Sequence, residues 1–427
     1  MKEDFLHYIW KFKKFDFSRA VTVEGLPVTL IDAGLANLNS GPDFFNSKLK
    51  IGEQLWAGNV EIHIKSSDWY AHGHENDPAY DNVILHVVWD DDVAIYKQDN
   101  TTIPTLELRE LVPEITLQNY RNLLLAPNRK WINCETDFSA FENFELQNWM
   151  ERLYLERLEE KSKLILELLR SSGNNWEAVL FKMLAKNFGL KVNGAAFLSL
   201  AASIPFGVLQ KCRSSQFRLE ALLFGQAGLL DPTSENIYFN ELKKEYQFLK
   251  GKFGLSNSYV ERPKYFRLRP DNFPTIRLSQ LATLYYKLPH VFSTLIATNT
   301  VEKFKEILII ETSDFWKEHY SFEKSHSSKT KKLTSAFIDL LIINTIIPLK
   351  FCYNRSTGSG DDEELLSLME NLNVEKNSVI EKFNKIRSGT AVSALHSQAL
   401  LQLKSNYCDK NACLNCNLGS KLLKGNL

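Results

Sequence analysis

Hydrophobic periodicity changes character once along this chain, and that change limits the fold more than any other feature. Up to about Glu110 the apolar residues come in short runs such as PVTLIDAG, SKLKI, QLWAGNVEIHIK, NVILHVVW and TLELREL, separated by the turn-rich stretches EGLP, NLNSGPD, IGEQ, WDDD and KQDNTT. From Phe141 onward they recur three and four apart, as in LQNWMERLYLERLEEKSKLILELLR and WEAVLFKMLAKNFG. The pattern predicts an α+β protein. An amphipathic helix at Phe5–Phe15 opens a β-rich or α/β domain over residues 1–136, and an all-α domain occupies 137–427. The junction is placed in LVPEITLQNYRNLLLAPNRKWINCETDFSAF, with its two prolines and its capping-type Asp137 and Ser139. At 427 residues the chain is longer than one core usually grows, in keeping with two domains.

Charge excludes one simple kind of function. Lys and Arg together number 51, as do Asp and Glu, so no overall field draws the chain to nucleic acid or anionic lipid, and any basic surface has to be local. The start, MKEDFLHYIWKFKKFDF, is too charged for a signal peptide, which predicts a cytoplasmic protein. The most apolar window, Ala336 to Leu349, reads as a buried helix ended by Pro348, too short to span a bilayer. No membrane partner is expected.

The densest chemistry lies in GNVEIHIKSSDWYAHGHENDPAYDNVILHVVW, which holds four of the nine histidines. On an extended strand Glu61, His63 and Lys65 project from one face while Val60, Ile62 and Ile64 pack on the other. Neighbours on such a face stand roughly 7 Å apart, within reach of one metal ion and its water. Upstream, NLNSGPDFF places Asp43 at a Gly-Pro turn, and SKLKIGEQLWAGNVEIHIK reads as a hairpin that returns Glu61 toward Asp43. Two carboxylates so placed suit Mg²⁺ or Mn²⁺. A polar strand face bathed in solvent is the competing account.

This Asp43, Glu61-x-His63 pattern resembles the PD-(D/E)xK nuclease superfamily over some 60 residues. The resemblance implies a restriction-endonuclease-like fold, with Asp43 and Glu61 as metal ligands and a water-activating group two residues past Glu61. His63 stands where that family has lysine, and Lys65 follows on the same face, so either can take the role. An imidazole of ordinary pKa near 6.5 is a usable base at neutral pH. The HGH of His72 and His74, with His86 downstream, resembles instead the paired histidines of cupin-type barrels, which bind a transition metal.

Two further motifs stand outside this region. Cys408, Cys413 and Cys416 form C-x4-C-x2-C, a spacing able to bind Zn²⁺ or an iron–sulfur cluster with a fourth ligand from Cys134, Cys352 or His396. Some nucleases of the superfamily named above hold an iron–sulfur cluster with a C-terminal cysteine triad and one upstream cysteine, a part that Cys134 matches. Three reduced thiols in a polar tail are the alternative. In ERPKYFRLRPDNFPTIRLSQ, Arg262, Lys264, Arg267, Arg269 and Arg277 alternate with aromatic residues and offer a DNA or RNA contact, unless they pair with acids in a connecting loop.

Taken together, GPDFFNSKL, GNVEIHIKSSDWYAHGH, NDPAYDNVILHVVW, EALLFGQAGLL, RLRPDNFPTIRLSQLA and YCDKNACLNCNLG resemble an uncharacterised bacterial family of unknown function. That resemblance implies no activity. The expected function is metal-dependent phosphodiester hydrolysis on DNA or RNA. A non-catalytic interaction module with a structural metal, and a histidine-based metalloenzyme acting on a small molecule or sugar, are the alternatives.

Overall fold

The computed structural model describes residues 1–37, 39–125 and 130–425, so that Pro127 of the expected junction lies outside the described residues. With 54% helix and 12% strand, and a sheet-containing region ahead of a largely helical one, the protein is α+β. It divides into two compact units, Met1–Trp149 with Leu403–Leu427, and Met150–Gln402. This division differs from a cut at Thr136, because the cysteine-bearing tail groups with the sheet and not with the helices that precede it.

The first unit is built on a six-stranded sheet. Helix α1, Glu3–Lys11, precedes strands β1, Val28–Asp32, β2, Leu35–Ala36, β3, Phe44–Ile51, and β4, Gln54–Lys65. Helix α2, Asp68–Ala71, then leads to β5, Val83–Asp90, β6, Thr105–Glu107, and helix α3, Glu114–Leu124. The strand order is β1-β3-β4-β5-β6, with β2 paired to β3. β1, β3 and β4 run antiparallel, whereas β5 and β6 run parallel to β4 and to one another. The β3–β4 hairpin expected from SKLKIGEQLWAGNVEIHIK closes on the pair Ile51 and Gln54, with Gly52 left-handed at φ 58°.

Two irregularities aim the start of the polar row. Between Phe44 and Ser47, β3 carries one residue more than the facing Val60 to Gly58 of β4, and left-handed Asn46 (φ 57°) absorbs it. A second register shift lies between Asn59 and Val60 where β4 meets β5. Glu61 follows both.

The main core packs Phe5, Ile9 and Trp10 of α1 and Leu117 and Tyr120 of α3 on Phe44, Leu49, Val60, Ile62 and Val87 of the sheet, together with Leu414 and Leu423 of the tail. The Trp10 indole donates to the Ala33 carbonyl at 3.1 Å, pinning α1 to the start of the sheet. A smaller cluster of Trp69, Tyr80, Val83, Ile95 and Ile103 gathers around the β4–β5 crossover. Apolar residues therefore lie on both sides of β4 and β5.

Helix α4, Asn143–Ser171, leads into the second unit, which is nearly all helix with one small hairpin, His319–Ser321 with Lys324–Ser325. Pro348 does not end its helix. Residues Ser335–Thr357 form one helix of 23 residues, in which a π-turn at Ile342–Ile346 comes just before the proline and relieves the demand for its missing N–H. By length and composition this helix could cross a membrane, but 78% of its most apolar window is buried inside the fold. In helix Gln216–Gln226, Gly225 lies flat on Tyr246, where an added Cβ would stand 2.1 Å from the ring. Gly225→Ala is expected to cost about 1–3 kcal/mol, read as a lower urea midpoint with an unchanged slope.

Candidate metal centre

Strand β4 carries Glu61 and His63, β5 carries His86 opposite Glu61, and the crossover carries His72 and His74. Gly73 between the last two is left-handed, φ 73°, and reverses the chain so that both imidazoles meet the strand. His63 Nε2 lies 3.0 Å from His72 Nδ1 and 3.5 Å from Glu61 Oε1, and His74 Nε2 lies 3.3 Å from the same Glu61 oxygen. Ligand atoms of His63, His72 and His74 all fall within 4.8 Å of one another. Two atoms bound to one tetrahedral ion at about 2.0–2.1 Å stand ~3.3 Å apart, close to these spacings.

A second ring of contacts orients these groups. His63 Nδ1 shares a 2.8 Å hydrogen bond with His86 Nε2, so a metal on the far nitrogen of His63 requires its Nδ1–H to donate to His86. The outer Nδ1 of His86 is buried and unpartnered. His74 stacks on Tyr80 with ring centres 3.8 Å apart. Asp43 and Glu61 interlock: the Asp43 N–H donates to Glu61 Oε2 at 3.1 Å, and the Ile62 N–H donates to Asp43 Oδ2 at 3.0 Å. His7 of α1 places its Nε2 3.2 Å from Asp43 Oδ2, as an ion pair without hydrogen-bond alignment.

Burial rules the electrostatics. Glu61 is 4% exposed and His63 1%, so this part of the strand is not a solvated polar face. Burial, with Asp43 nearby, pushes the Glu61 carboxyl up against the opposing pull of His74. Burial and the neighbouring imidazoles of His74 and His72 push His63 down to about 3, and burial lowers His86 as well. Burial also pulls on His7, but Asp43 beside it outweighs that and leaves it raised. His63 is consequently a poor base at neutral pH, which corrects the expectation of an ordinary imidazole there. Its lone pair remains available to a metal. His72 is the exposed member of the cluster and marks its solvent side.

The other expected residues are placed as follows. Lys65 is half exposed, with Nζ 3.6 Å from Asp92, and is not drawn to Glu61. Cys134, Cys408, Cys413 and Cys416 all belong to the first unit and are free thiols. Cys352 and His396, the other candidate fourth ligands, belong to the second unit, where Cys352 bonds Ser162 and His396 neighbours Ser393. In the arginine loop, Arg277 is buried over the Phe337 ring and bonds Asn272 and Gln280, so it serves packing and not a surface contact. Arg262 pairs with Asp231 at 2.6 Å and Lys264 with Glu261 at 3.8 Å, as expected of a connecting loop, while Arg267 and Arg269 are exposed. His7 and Tyr80 were not legible as site residues. The signal for His7 was its place one turn after Glu3 on the amphipathic helix EDFLHYIWK, amid the buried run Phe5 to Trp10.

Fold and site together define an α+β protein with a buried histidine and carboxylate cluster on a mixed sheet. The chain belongs to the family described as Protein of unknown function (DUF2851), which it matches over residues 3–378. No curated protein and no solved structure matches it.

In the metal-free protein His63 is neutral when folded but takes up a proton when unfolded once the pH is below about 6.5. Its contribution to stability is whole above that pH and is lost as the pH falls toward its folded value of about 3. Urea midpoints measured from pH 7 to pH 4 are expected to fall, and His63→Gln should flatten the slope.

Proposed function

We propose that this protein is a metal-dependent hydrolase that cleaves phosphodiester bonds, using one transition-metal ion held by His63, His72 and His74. The observation that carries the reading is the convergence of those three imidazoles within 4.8 Å, with Glu61 Oε1 3.3 Å and 3.5 Å from two of them. Three imidazoles favour Zn, Fe or Mn over Mg²⁺, which departs from an ion bound by carboxylates alone. An ion held by three protein ligands would keep a position for water, the chemistry that hydrolysis requires.

Glu61 is the base. Its carboxyl is raised, and its oxygen beside His63 and His74 would face an ion held by these imidazoles, which would supply an acidified water for Glu61 to deprotonate. Asp43, through its N–H, holds the other Glu61 oxygen, and His7 balances the Asp43 charge. The phosphodiester class rests on the Asp43, Glu61-x-His63 pattern and its resemblance to the PD-(D/E)xK nucleases. The arginine loop lends little to a nucleic-acid substrate, since its Arg277 is buried.

Purified protein is expected to carry one transition metal at this site, and the double variant His72→Ala, His74→Ala to lose it. Glu61→Gln should keep the metal while hydrolysis of bis(p-nitrophenyl) phosphate and of single- and double-stranded DNA and RNA drops about 100-fold or more. Metal-loaded protein that leaves every one of these substrates intact would overturn the phosphodiester assignment. A transition-metal content per chain that does not fall from wild type to the double variant would overturn the site itself.

A further inference from the structure

The tail and a distant turn bring four thiols together in the first unit. Cys134 follows Asn133, whose amide donates to Cys413 Sγ at 3.3 Å across 280 positions of sequence. Cys408 ends the π-turn Leu403–Cys408, Cys413 opens a 3₁₀ turn, and Cys416 precedes helix Asn417–Leu423. The Cys416 N–H closes on the Cys413 carbonyl at 3.2 Å, and Gly419 approaches that carbonyl so closely that a Cβ there would stand 2.1 Å from it. Only a glycine lets the last helix begin against the Cys413–Cys416 turn.

Donors surround the sulfurs. Cys416 accepts from the Leu418 and Gly419 N–H groups. A neutral thiol is a weak acceptor, whereas a metal-bound thiolate is stabilised by such N–H bonds. Each of the six pairs among the four cysteines lies within electrostatic range, and none is oxidised to a disulfide.

We propose that Cys134, Cys408, Cys413 and Cys416 form a second metal centre, ligated by four thiolates and separate from the histidine cluster. One zinc ion with bonds of about 2.3 Å draws its sulfurs to ~3.8 Å from one another. Four thiolates from a C-x4-C-x2-C tail and one upstream cysteine can equally hold an iron–sulfur cluster.

The test uses the full chain, purified without oxygen, in wild-type form and as the His72→Ala, His74→Ala double variant, so that this centre is read apart from the hydrolytic one. Iron, zinc and acid-labile sulfide are measured per chain, together with the visible absorption spectrum. Iron with sulfide and a visible band supports the cluster. One zinc in a colourless protein supports the four-thiolate centre in mononuclear form. Cys134→Ser is expected to lower the metal content as much as Cys413→Ser does, while Cys212→Ser in the second unit leaves it unchanged. In case the variants fold poorly, X-ray absorption of the double histidine variant reads the ligands directly, and sulfur scatterers at about 2.3 Å are expected. Absence of metal from that protein, or a first shell of nitrogen and oxygen, would overturn the proposal.

Discussion

Glu61 brings a carboxylate to a position that is only 4% exposed, and a charge placed there needs partners from every side. The N–H of Asp43 meets one oxygen and the imidazoles of His63 and His74 face the other. Asp43 in turn is tied back to the Ile62 N–H and to His7. The start of β3, the middle of β4, the crossover and the first helix are thus coupled through one buried acid. Removing it would leave imidazoles packed at 3.0 Å with no anion or cation between them.

The sheet makes this burial affordable. Antiparallel pairing on one side of β4 sets the hairpin that delivers Asp43, and parallel pairing on the other sets the crossover that delivers His72 and His74. A strand with one antiparallel and one parallel neighbour therefore receives polar groups from both directions. The bulge at Asn46 falls two residues into β3, close to where Asp43 meets Glu61. Bulges commonly re-aim side chains beside functional sites, and this one lies where such aiming is needed.

Much of this was legible in the residues, and what was not has identifiable causes. The switch of period near Phe141 separates sheet from helix because it reflects backbone geometry directly. The hairpin was legible from Gly52, and the shared face of Glu61 and His63 from alternation. Alternation could not say that the polar face would be covered, since the covering residues Trp69 and Tyr80 come from a crossover of short turns with little periodicity. The helix through Pro348 was cut short because a π-turn has no sequence signature that offsets a proline. Cys134 and the tail were named as partners, yet the grouping of residues 403–427 with the sheet depends on Leu414 and Leu423 entering its core, a contact too remote in sequence to read.

That grouping bears on how the protein is made. The sheet leaves the ribosome first, but two of its core leucines follow only after residues 150–402 have been synthesised. At about 5–20 residues per second, this delay lasts on the order of ten seconds or more. Throughout that interval the nascent sheet waits with an unfilled hydrophobic seat, while the helical insertion is free to fold ahead of it. The part of the chain made first is therefore the last to have its core completed.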